Sequence, residues 1–364
     1  LSERSYKYGY TELTLSNGMK VYVRQTDFEP DEVNLKLFSM GGKNLYPDAD
    51  MPNLTYLMAG ATIGGVGQYD DLALEKMLAG KTATVAPYID DDTEGMTGTS
   101  NVKDTETLLE LVYLYFTQPR KDPQAFKSLM EQQEAFLTNA HVNPMLAYND
   151  TLHKVAYGTD RLASMDKERL KKVSYDRIMQ IYKERFASAA DFKLILTGNI
   201  NLDKLRPLLC RYMAVLPSNN RTEGIGTHGS RLVDGKKTYV FHKKQATPTA
   251  ITTIVIKGKM EYSNRNDLLM DAIGQLLRIV YTDKVREEKG GTYSVQVSGD
   301  LQHHPADEAL LRIAFQTDPQ KYHELIPIVY EQLHKMATEG PSQQDLDKVK
   351  AYERKVYNQV LRMN

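Results

Sequence analysis

Arg286 and Tyr293 are the residues whose types and spacing best suit chemistry. They stand seven positions apart in VREEKGGTYSV, Val285 to Val295. The pattern predicts an apolar helix with a cationic last turn, a stop at Gly290-Gly291, and a β-rich segment carrying the tyrosine. That layout brings guanidinium and phenol together at a helix-to-strand corner. A guanidinium is a permanently charged planar fork, and a phenol hydroxyl donates without adding charge. Both suit negative charge developing on an oxygen. The plain alternative is a cation favoured at a helix C-terminus and a tyrosine packed on a sheet. None of the eight histidines has the glutamate spacing of a metal-binding peptidase helix, so the groups that would break a bond are missing.

Other candidates are weaker. Gly64-Gly65-Val66-Gly67 has the glycines of a phosphate loop but no following Gly-Lys-Ser/Thr, and reads as a turn. His303-His304 with Asp307 offers metal-ligand types, but adjacent histidines on a strand point opposite ways, so a solvated loop is expected. Asp90-Asp91-Asp92 with Glu94 lacks the ligand alternation and glycine of a calcium loop and reads as a solvated turn.

The elements that must position these residues follow from periodicity. Thr11 to Leu15 and Met19 to Val23 alternate around Asn17-Gly18, a type I′ hairpin signal. Val33 to Phe38 is a third strand ending at Gly41-Gly42. Short helices are expected at Leu54 to Ala61 and Asp71 to Leu78, and strands at Thr82 to Val85 and Gly95 to Thr99. Asp104 caps a helix whose inner face is Leu108, Leu109, Val112, Tyr113 and Phe116. Pro123 opens the next helix, to about Thr138. A helix from Ser174 to Phe186 leads into the strand Phe192 to Thr197. Leu202 to Met213 is helical, with Pro207 bending or delaying its start.

Pro217 to Lys236 is a linker by composition. The opening order then repeats: strands at Tyr239 to Phe241 and Ile251 to Ile256, a helix from Arg265 to Lys284, strands at Tyr293 to Val297 and Leu310 to Phe315, then helices from His323 and from Ser342. Ser342 with Asp345 forms a capping box. The expectation is an α+β chain of two domains of one design, 1–216 and 237–364, joined by the linker 217–236.

Composition excludes several classes. The 364 residues carry a net charge of −1, which leaves no basic footprint for nucleic acid. No apolar run is long enough to span a bilayer. The single Cys210 excludes intrachain disulfides and multi-cysteine metal sites. The chain begins at Leu1 without an initiator methionine and ends at Asn364 inside a helical pattern, so a piece of a longer polypeptide is expected, its second domain truncated.

Four segments carry a resemblance: LSNGMKVYVRQTDF (Leu15 to Phe28), LAGKTATVAPYI (Leu78 to Ile89), YKERFASAADFKLILTGNI (Tyr182 to Ile200) and REEKGGTYSV (Arg286 to Val295). Through them the chain resembles the carboxyl-terminal, non-zinc half of pitrilysin/insulinase-type peptidases, the inverted-zinc-motif group, and among these the large bacterial members. The resemblance implies a metallohydrolase fold of the LuxS and processing-peptidase type, with this chain supplying the third and fourth of four homologous domains around a chamber. It implies zinc, and a glutamate general base, in an amino-terminal half not included here, and no cofactor or metal in this chain. Tyr56 to Gly60 falls roughly where the zinc helix would be and has no ligand. His141, His153, His228, His242, His303, His304, His323 and His334 are expected not to be ligands. The family's arginine and a tyrosine seven positions later reach the substrate from the last domain, and Arg286 and Tyr293 have that spacing. The implied partners are the zinc-bearing half and a peptide substrate, with no nucleic acid and no membrane span. The chain alone is expected to be inactive. A degenerate, non-proteolytic scaffold and a separate subunit are the alternatives. A periplasmic or cell-envelope location is expected, with the cytoplasm as the alternative.

Overall fold

A computed structural model describes every residue except 1, 7–8, 141–142, 220, 245–246, 290–294, 362 and 364; residues 140 and 285–289 are described in backbone only. The chain divides into two compact units. One comprises Leu1–Asp150 and Thr159–Ser230, the other Thr151–Gly158 and Arg231–Met363.

In unit 1 the strands are β1 (Ser2–Tyr6), β2 (Tyr10–Thr14), β3 (Lys20–Gln25), β4 (Val33–Met40), β5 (Ala83–Ile89), β6 (Thr93–Ser100) and β7 (Lys193–Gly198). They form one sheet in the order β1-β2-β3-β7-β4-β6-β5. Its helices are α1 (Met51–Thr55), α2 (Leu57–Thr62), α3 (Asp71–Met77), α4 (Thr105–Thr117), α5 (Pro123–Ala140), α6 (Pro144–Tyr157), α7 (Lys167–Leu170), α8 (Tyr175–Arg185) and α9 (Leu202–Leu208), with the last turns of α6 assigned to unit 2. Period-two alternation buries Val21 and Val23 on β3, Val33, Leu35 and Leu37 on β4, and Leu194 and Leu196 on β7. The helical stripes Leu108, Leu109, Val112, Phe116 on α4 and Ile178, Ile181, Tyr182 on α8 close one core over that sheet.

Local expectations needed correction at several points. The β2–β3 hairpin forms, but Leu15 pairs with Met19, leaving three loop residues rather than the two of a type I′ turn. Asn17 is used differently: its Nδ2 donates to the carbonyls of Met213 (2.8 Å) and Leu216 (3.2 Å), tying the turn to a distant segment. Asp104 occupies the cap position of α4 without bonding a helical N–H; its carboxylate accepts from the Thr82 N–H (2.8 Å) and faces Lys81 (3.3 Å), so the β5 entry wins it. Pro207 does not delay α9. Asn201 accepts from the Lys204 N–H and fixes the start, and the helix instead widens to a π turn at Leu209–Met213. The linker is not loose throughout. A methyl on Gly226 would fall 2.0 Å from the Asn44 carbonyl carbon, and the His228 N–H donates to the Asn44 carbonyl (3.0 Å).

Unit 2 has a three-stranded antiparallel sheet, β8 (Ala250–Lys259), β9 (Val295–Gln302) and β10 (Glu308–Thr317), in the order β8-β10-β9. Its helices are α10 (Asn264–Lys289), α11 (Tyr322–Glu339) and α12 (Gln343–Val360). Ser342 caps α12, the Asp345 N–H donating to its Oγ (3.1 Å), while the Asp345 carboxylate accepts from the Ser342 hydroxyl (2.7 Å), so the expected capping box forms in its first half. Leu277, Tyr281, Val295, Val297, Ile313, Phe315, Leu325 and Val329 make the core.

The order β8-β10-β9 repeats β4-β6-β5 of unit 1, each with a helical segment between its first and second strands in sequence. The expected strand at Tyr239 to Phe241 is absent: the backbone there is irregular, with Tyr239 62% and Val240 60% exposed. Unit 1 supplies the reason. Its counterpart β3 does not touch β4; β7 lies between them, parallel to β3 and antiparallel to β4. Among the described residues of unit 2 no strand fills the place of β7, so the segment has no ladder to join.

Candidate functional site

The helix-to-strand corner is held from both sides. On α10, Leu277 and Tyr281 are fully buried, and the Tyr281 hydroxyl donates to the Val329 carbonyl (3.1 Å). Burial pushes that phenol far above its ordinary pKa, so it stays a neutral donor. On the strand side, Val295 and Val297 are buried against β10. The two elements also meet backbone to backbone. A methyl on Gly299 would lie 2.1 Å from the Met270 carbonyl oxygen, and one on Gly274 would lie 2.7 Å from the Gly299 nitrogen. Glycine at both positions lets α10 lie directly on β9 and fixes the line along which its C-terminal end approaches the strand. Arg286 sits on the last turn of α10, which continues to Lys289. The Arg286 side chain, the Gly290-Gly291 stop and Tyr293 lie outside the described residues, and the described part of the expected strand begins at Val295.

Tyr56 to Gly60 falls on the break between α1 and α2. Leu57 and Ala61 are buried, and a methyl on Gly60 would meet Ile178 and Phe126 at 3.1 Å, so this stretch is packed apolar structure. Among the described residues no group of three or more His, Cys, Asp or Glu is arranged to hold a metal ion. Gly64 to Gly67 is a turn, with Gly65 at φ 80° and the Gly64 carbonyl accepting from Arg120 Nη1 (2.9 Å). The two histidine rings do not point opposite ways. They lie in the β9–β10 connection with centroids 4.1 Å apart; His303 stacks on Tyr262 (4.6 Å), and its Nδ1 bonds Asp307 (2.7 Å).

The acidic run behaves differently at its two ends. Asp90 and Asp91 are exposed, but Glu94 is 1% exposed, against the expectation of a solvated turn. Its carboxylate accepts from the Gly42 N–H (2.6 Å) and lies 3.7 Å from Arg185, itself 6% exposed. Arg185 forks onto Glu223 and bonds the Tyr46 hydroxyl through Nε (2.9 Å). Two carboxylates thus share one guanidinium. Burial, partly offset by the Gly42 N–H and Arg185, pushes Glu94 up to about 7, while Arg177 holds neighbouring Asp50 below the usual carboxylate range through a paired contact (2.7 and 3.0 Å). Arg161, 4% exposed, donates to the carbonyls of Lys43 and Tyr46, to Asn44 Oδ1 and to Asp48. These side chains clamp the 41–50 loop against α8 and the 221–229 segment. Two signals in the sequence mark them: Arg185 continues the buried spacing Ile178, Ile181, Tyr182, and Glu94 shares the inward face of β6 with Met96.

The Peptidase M16 inactive domain matches residues 172–352. The chain is 23% identical to the probable zinc protease PqqL of Escherichia coli K12 over 344 residues, 93% of its own length, and 25% identical to a PQQL-like zinc protease of Arabidopsis thaliana over 98% of its length. It spans 36% of the length of each. Among solved structures it superposes on the periplasmic protease PqqL of E. coli with a TM-score of 0.85 at 20% identity, covering 98% of this chain and 39% of that one. The α+β architecture is thus that of M16 peptidases. Residues 172–352 thus carry the Peptidase M16 inactive domain, and the chain is homologous to the carboxyl-terminal part of PqqL-type zinc proteases.

Proposed function

We propose that this chain forms one wall of a peptide-binding chamber and lends Arg286 and Tyr293 to a zinc site on the amino-terminal half of the same protein. The supporting observation is the placement of Arg286 on the last turn of a helix fixed to β9 at Gly274 and Gly299, seven residues before Tyr293. Zinc would polarise the scissile carbonyl and activate water on the other half. The guanidinium and the phenol would donate to the oxygen that gains negative charge. A scaffold without chemistry has no use for such a donor pair, which disfavours the non-proteolytic reading. The related E. coli protein is described as a periplasmic protease, and the same compartment is proposed here. The test is Arg286→Ala and Tyr293→Phe in the complete protein. Each is expected to lower kcat/KM against an extended peptide by ~10²-fold or more, the cost of one lost oxyanion donor. Unchanged values in both would overturn the assignment.

A further inference from the structure

The sheet of unit 1 has a second face, and its charge is lopsided. α4 and α8 close one side of the sheet; along the other, Arg24, Lys36, Thr97, Thr99 and Lys193 are exposed. Cross-strand register places Arg4, Glu12, Tyr22, Ile195 and Lys36 in one row of that side, and Lys20, Lys193 and Phe38 in the next. The strands therefore present Arg4, Lys20, Arg24, Lys36 and Lys193 there against a single carboxylate, Glu12, on a chain whose net charge is −1. Glu12 is already engaged, by Lys20 (3.3 Å) and by the Tyr6 hydroxyl (3.2 Å). Arg24, Lys36 and Lys193 have no carboxylate partner among the described residues. Lys20 and Lys193 stand directly opposite each other in the β3–β7 ladder, a placement of like charges that costs stability. Phe38 lies beside both Lys36 and Lys193, whose Nζ atoms are 5.9 and 5.8 Å from its ring centre. A face that meets only water gains nothing from such a bias, since interspersed signs serve solubility without the repulsion.

We propose that this face binds an acidic peptide segment in extended form, which crosses β7 and β4 with its carboxylates on Lys193 and Lys36, an apolar side chain on Phe38, and Arg24 at its flank. The spacing suits that occupant. Lys193 and Lys36 are diagonal neighbours in an antiparallel ladder, about 7–8 Å apart at the backbone. Alternate residues of an extended chain lie about 7 Å apart, so carboxylates on every second residue meet both ammoniums at once. The Phe38 ring gives an intervening apolar side chain a surface to lie on. A carboxylate held there also relieves the repulsion between Lys20 and Lys193. The choice of a peptide as the anion rests on the reading of this chain as one wall of a peptide-binding chamber, and it narrows the substrate class to acidic segments. The face itself owes nothing to Arg286 or Tyr293.

Fluorescence anisotropy of a labelled peptide tests it on the 364-residue chain at low salt, without zinc. The probe alternates glutamate with alanine, and its control carries glutamine in place of glutamate. The glutamate peptide is expected to bind at least ~5-fold more tightly than the control, a preference that fades as salt is raised. Lys36→Gln with Lys193→Gln is expected to bring the two affinities within ~2-fold of each other without lowering the melting temperature. Lys36→Glu with Lys193→Glu is expected to turn the preference toward a peptide that alternates lysine with alanine. Arg286→Ala is expected to leave this binding unchanged, so a failure here and a failure of the oxyanion-donor role are separate results. Equal affinity for the glutamate and glutamine peptides, or a glutamate preference that survives Lys36→Gln with Lys193→Gln, would overturn the proposal. So would a single-stranded oligonucleotide of equal charge that binds more tightly than the peptide, which would assign the face to a polynucleotide.

Discussion

At the scale of single residues, the most consequential arrangement is the sharing of Arg185 by Glu94 and Glu223. Burial raises Glu94 to about 7, whereas its unfolded value is 4.5. The folded state therefore keeps a proton that the unfolded state has lost, and stability falls as pH rises through that window. Urea unfolding at about pH 5 and about pH 8 is expected to show this loss, up to ~3 kcal/mol for a shift of this size. Glu94→Gln keeps an acceptor for the Gly42 N–H and should remove Glu94's share of the slope; an unchanged slope would refute the account. Arg185→Ala strands the buried Glu94 carboxylate and removes the partner of the half-buried Glu223, and should cost ~3–5 kcal/mol in the same assay at neutral pH. The spacing of Arg185 with Ile178, Ile181 and Tyr182 marks an inward face, but the acidic run around Glu94 reads as a solvated turn. The pairing of Arg185 with Glu223 was not legible, because the two lie on segments linked only through the folded backbone.

At the scale of elements, the contact between α10 and β9 decides where the candidate donor corner lies. The two glycines allow it, and the prediction is correspondingly local. Gly299→Ala should cost unit 2 ~1–3 kcal/mol, because its methyl would meet the Met270 carbonyl oxygen at 2.1 Å. Gly258→Ala, on β8 with nothing within 4 Å of the added methyl, should change stability by less than ~0.5 kcal/mol. Thermal unfolding of the two variants side by side checks both; equal behaviour would mean that α10 does not bear on β9 as described. Periodicity had located α10, α11, β8 and β10 correctly to within a few residues, since an amphipathic stripe is a local property. It missed α6 and β1. It also placed Asp104 on the α4 cap, where the competing Thr82 N–H could not be seen from the neighbouring sequence.

At the scale of the whole molecule, the sequence by itself determined the resemblance to M16 peptidases, the α+β class and the place of Arg286 on a helix's last turn. These rest on spacing within short stretches, where each residue's neighbours in the chain are its neighbours in space. Only the tertiary structure decided which segments become strands in a sheet and which charges are buried. Residues 237–242 have the composition of a strand and the spacing of β3, yet remain irregular, because a strand exists only through the ladder that pairs its N–H and C=O groups. Glu94 looks like part of a solvated acidic turn until β6 turns it inward beside Arg185. Pairing and desolvation belong to partners far apart in sequence, and those partners meet only when the chain has folded.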